Sequence, residues 1–85
     1  MEEQENTRST AEEDAALEAA VLQLVLSLHP AALTMDELAR EMGEGGNEAL
    51  ERAVRDLAAA GLLHRSDDFV LPTRAALRFD ELLER

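Results

Sequence analysis

The sequence predicts an α+β, mostly helical fold: three helices, a short two- or three-stranded sheet and a C-terminal helix. Three observations predict it. Apolar residues recur at helical spacing over residues 10–28, 34–42 and 47–60. Glycines stand where helices should stop, at Gly43 and Gly61. Two short extended runs, Leu62 to Arg65 and Phe69 to Leu71, flank a turn of Ser66, Asp67 and Asp68. With 85 residues there is room for one core only.

Residues 1–9 are expected to form a disordered acidic arm, because they are polar and aperiodic. Residues 10–85 are expected to form the domain. The first helix should begin near Thr10, which with Glu13 fits a capping box, and should stop at about Leu28, ahead of Pro30. Leu17, Val21, Leu24 and Leu28 follow the spacing of one buried face. Ala15, Ala19, Leu22 and Leu26 repeat that spacing on nearly the opposite side. A helix apolar on two sides is buried on both. The second stripe should therefore meet the C-terminal helix, a second subunit, or both.

The second helix has a capping box, Thr34 with Glu37, and a hydrophobic staple, Leu33 with Leu38. Leu38, Ala39 and Met42 should face inward, and Gly43 should end the helix in the left-handed conformation. Residues 31–33 can add a third strand before it. The third helix should start at Asn47 as N-cap, bury Leu50, Ala53, Val54 and Leu57, and end at Gly61, with Leu62 or Leu63 making the closing apolar contact. Thr73 should cap the last helix. That helix carries Ala75, Phe79 and Leu82 as one stripe, with Ala76 and Leu83 beside it.

Charge narrows the partners. The chain carries 19 acids against 8 bases, a formal net charge of −11. Every base is arginine. This excess opposes binding to phosphate backbones and anionic membranes, and favours basic partners. The arginine-only usage with abundant Ala, Leu and Glu looks like a high-GC bacterial chain. The acidic N-terminus is no signal peptide, and the apolar run from Val21 to Leu28 is too short to span a bilayer, so a cytoplasmic location without membrane contact is expected.

From Leu33 to Leu82 the residues resemble the winged helix-turn-helix superfamily, in particular the MarR-type small bacterial transcriptional regulators. LTMDELAREMG is similar to the first helix of that motif. LERAVRDLAAAGLL is similar to its recognition helix and the small-residue stop before the wing. FVLPTRAAL is similar to the returning wing strand and the threonine opening the next helix. The resemblance implies a transcriptional regulator that binds double-stranded DNA through the third helix. Three departures stand out. Gly45 and Gly46 lengthen the turn, Glu44 replaces a small apolar residue, and the wing tip is Asp67–Asp68 where DNA-binding wings tend to be basic.

The residues implied in DNA binding are Asn47, Glu48, Glu51, Arg52, Arg55 and Arg65. Arginine suits guanine because its fork bonds O6 and N7 together. A plainer reading stands beside this one. Glu48 with Arg52 and Glu51 with Arg55 are i, i+4 pairs in the favoured order, each adding about 0.2–0.5 kcal/mol to the helix. The arginines could simply satisfy the glutamates. The alternative function is therefore an acidic protein-interaction or dimerisation module without DNA contact. Its interface would be Ala15, Ala19, Leu22, Leu26, Phe79 and Leu83. A homodimer is expected through that surface, and a basic protein partner is the other candidate.

No enzyme is expected. The chain has no cysteine, and its two histidines, His29 and His64, are far apart in sequence, so neither a metal site nor a nucleophile is supported. The glycine cluster GEGG follows a helix and lacks the lysine of a phosphate loop. No catalytic residue, metal or cofactor is assigned.

Overall fold

The computed structural model describes residues 2–43 and 47–84, with side chains at 12–43 and 48–84. The architecture is α+β and mostly helical: α1 (Glu2–Leu28), β1 (Leu33–Thr34), α2 (Met35–Met42), α3 (Asn47–Ala59), β2 (Leu63–Ser66), β3 (Phe69–Pro72) and α4 (Arg74–Leu83). The strands form one antiparallel sheet in the order β1-β3-β2.

α1 starts eight residues earlier than its sequence signal. The expected arm is helical from Glu2, and Thr10 and Glu13 lie inside the helix rather than at its cap. Glu, Gln and Arg are good helix formers, no Gly or Pro interrupts them, and acids suit the positive end of the dipole. Once a helix is nucleated, adding such residues is cheap. At 1.5 Å per residue, 27 residues reach about 40 Å. That approaches the molecule's longest extent of 44 Å, so α1 sets its length.

Among the described side chains of α1, those of its second half enter the core. Val21 and Val25 are buried, Leu17, Leu22 and Leu24 pack against the core at half burial, and Leu28 is 39% exposed. The interior arc is thus centred on Val21, from the first expected stripe, and Val25, which belonged to neither, so it is turned from the first stripe toward the second. α3 and β3 both pack against α1.

The remaining core comes from every other region: Leu33, Leu38, Leu50, Ala53, Val54, Leu57, Leu63, Val70 and Ala76. The capping box of α2 forms as expected. The Thr34 Oγ1 accepts from the Glu37 amide at 3.1 Å, and the Glu37 carboxylate accepts from the Thr34 amide at 3.0 Å. Leu33 and Leu38, the staple pair, are both buried in the core cluster. Gly43 closes α2 at φ 91°, ψ −43°, not in the left-handed helical region expected. Its amide bonds the carbonyls of Ala39 and Arg40. The turn carrying Glu44, Gly45 and Gly46, with its expected extra residue, lies outside the described residues.

α3 buries the four residues its spacing predicts. It ends in a Schellman motif at Gly61, φ 84°: Leu62 N–H bonds the Leu57 carbonyl at 2.9 Å and Gly61 N–H bonds that of Ala58 at 3.0 Å. Leu62 supplies the apolar contact. Because its amide closes the helix, it is not free for the ladder, and β2 starts one residue later than expected. β2 also continues through Ser66, leaving Asp67–Asp68 as a two-residue turn. Pro72 is tolerated in the central strand because β1 pairs only with Phe69 and Val70, so no donor is demanded at Pro72.

A candidate nucleic-acid interface on α3

Burial of Leu50, Ala53, Val54 and Leu57 fixes which side of α3 faces out. Glu48, Glu51, Arg52 and Arg55 share that side, are all exposed, and border one open surface depression. The structure therefore gathers four of the six expected DNA-contacting residues on one helix face. The side chain of Asn47, at the start of α3, lies outside the described residues.

Arg65 belongs to β2. It stands opposite Val70 of β3, and cross-strand partners point to the same side of a sheet. Arg65 is thus on the sheet face that carries Leu63 and Val70, the face that packs on α3, and it is exposed. Beyond it the Asp67–Asp68 turn projects two carboxylates. Asp67 takes φ 56°, a conformation aspartate tolerates better than most residues. The Asp68 carbonyl accepts from the Met35 amide at 3.0 Å, which ties the turn to the start of α2.

The expected ion pairs of α3 do not form. Among the described residues the one salt bridge joins Arg78 and Glu81 of α4 at 3.3 Å. Exposed pairs gain little in water, so side chains need not close on each other. Arg52 instead borders a crevice between α1 and α3, with Asp14, Leu17, Glu18, Ala49, Ala53 and Asp56. The neighbourhood of Arg52 was not legible from the α3 sequence, because Asp14 and Glu18 come from α1. Their carboxylates lower the potential on one flank of the arginine face, and on another side Asp36 of α2 borders a depression with Leu50 and Glu51.

The expected interface residues are only partly gathered. Ala15 and Ala19 are exposed on α1, and Leu22 and Leu26 are half-buried. Phe79 and Leu83 are exposed on α4, which touches α1 over a short stretch. No group of three or more His, Cys, Asp or Glu among the described residues is placed to hold a metal, and none of their helices is long and apolar enough to cross a membrane. Comparison of the chain with protein-family models, with curated proteins and with solved structures gives no match.

Proposed function

We propose that this chain is a small winged-helix transcriptional regulator in which α3 is the DNA-reading helix and the β2–β3 hairpin is the wing. The element order and the β1-β3-β2 sheet support the fold assignment. The observation that carries the functional reading is the state of Arg52 and Arg55. Both are exposed on the outer side of α3, and neither is consumed by Glu48 or Glu51. Two guanidinium groups one turn apart on a helix can address guanines in a major groove.

The cost is electrostatic. A domain at −11 gains little from phosphate contacts, so binding is confined to low salt unless a cationic partner assists. Selection of duplexes from a random library at low salt tests the reading. Native protein should enrich a motif, and Arg52→Ala/Arg55→Ala protein should enrich none. Equal behaviour of the two proteins removes α3 as the reader.

A second reading, an acidic protein-interaction module, is favoured by the Asp67–Asp68 wing tip and by the exposed apolar end of α4. It predicts no enrichment from any duplex library.

A further inference from the structure

Among the described residues, the second half of α4 carries the most exposed large apolar side chains. Phe79, Leu82 and Leu83 are 56%, 50% and 67% exposed, whereas Ala76 at the start of the helix is buried. Between this half of α4 and the last turns of α1 runs an open groove lined by Gln23, Leu26, Ser27, Asp80 and Glu84. At 100° per residue, Asp80 and Glu84 flank the apolar arc of Phe79 and Leu83 on its groove side. Arg78 stands on the other flank and is tied to Glu81. Among the described residues the groove is thus lined by one leucine, two carboxylates and no cation, and Phe79 and Leu83 stand on the adjoining α4 face.

We propose that this groove and the adjoining α4 face dock a basic amphipathic helix of a partner protein. Charge complementarity selects that occupant. The apolar side of such a helix covers Leu26, Phe79 and Leu83, and its lysines or arginines meet Asp80 and Glu84. A second copy of this chain is a poorer fit. It brings 19 more acids against 8 bases. Antiparallel pairing of two α4 helices about a two-fold axis near Leu82 also sets Asp80 against the Glu84 position of the copy, like charge on like charge. The surface shares no residue with the outer face of α3, so this proposal stands or falls separately from DNA reading. The two are compatible, because a docked basic partner would supply the phosphate contacts that this domain lacks.

The test titrates the full chain against a labelled peptide with leucines at i, i+3, i+4 and i+7 and lysines elsewhere, beside a scrambled peptide of the same composition. The patterned peptide should bind, and the scrambled one should bind about tenfold more weakly. Asp80→Asn/Glu84→Gln should weaken the patterned peptide about tenfold, while Asp67→Asn/Asp68→Asn, which removes the same charge at the wing, should change it less than about twofold. Circular dichroism checks that both variants stay folded. Equal binding of the two peptides, or equal loss from the two double variants, reduces the effect to net charge and overturns the proposal. So does sedimentation in which the native chain is a dimer and Phe79→Asp makes it a monomer, since a second copy then owns the face.

Discussion

The Thr73 hydroxyl accepts from the Ala76 amide at 3.2 Å and donates to the Gly61 carbonyl at 2.7 Å. One oxygen therefore caps α4 and holds it against the turn that ends α3. The Thr73 amide adds a bond to the Leu62 carbonyl at 3.1 Å, which closes the base of the hairpin. Thr73→Val keeps the shape and removes the hydroxyl. It should cost about 1–2 kcal/mol in urea unfolding, and Thr73→Ser should recover most of that. Gly61 shows a different kind of constraint. A Cβ built there meets nothing within 4 Å, so space is not at issue, but φ is 84°. Gly61→Ala should destabilise by about 1 kcal/mol through backbone strain alone. A neutral Gly61→Ala would mean that the Schellman turn relaxes without penalty.

At the scale of elements, α2 and α3 were legible from sequence because their determinants are local. The Thr34–Glu37 box and the Leu50, Ala53, Val54, Leu57 spacing lie within a few residues of what they specify. α1 was not, for two physical reasons. Its start depends on propagation from a nucleated helix, which leaves no punctuation at Glu2. Its buried arc depends on where α3 and β3 land, and that put Val25 beside the expected Val21 at the centre and left Leu28 at the rim. The α3 ion pairs failed for a third reason: exposed i, i+4 partners are worth too little to fix rotamers. The expectation for the candidate site was correct about which α3 residues are outward, and silent on Asp14 and Glu18, which α1 brings beside Arg52. That placement has a measurable consequence under the DNA reading. Asp14→Asn/Glu18→Gln should tighten low-salt binding to duplex DNA several-fold, in the range expected for two neighbouring unit charges at a partly solvated surface. No change on fluorescence titration would mean that the crevice is remote from the bound phosphates.

At the scale of the molecule, the core is a single cluster built from aliphatic side chains of α1, α2, α3 and the sheet, and among the described residues no polar or charged residue is buried. Leu38 is fully buried within it. Leu38→Ala should cost about 2–5 kcal/mol. That is a large share of the roughly 5–15 kcal/mol typical of a domain, so the variant should be close to unfolding at physiological temperature. Phe79→Ala should cost less than about 0.5 kcal/mol, because its side chain is mostly in water already. A large loss at Phe79 would show that the α4 face is covered in solution. The charge of the whole chain bears on function as directly as any residue. Under the DNA reading it confines binding to low salt, and under the docking proposal it favours a cationic partner for the α1–α4 groove.

Contact between DNA and the outer face of α3, as proposed, would be seen at the backbone amides of that helix. Backbone amide mapping by NMR, with a mixed-sequence duplex added at low salt, tests it most directly. Shifts are expected to concentrate at residues 48–55 and at Arg65, to fade as salt rises and to be absent from Arg52→Ala/Arg55→Ala protein. Shifts confined to α4 and the end of α1, or none at all, would contradict it.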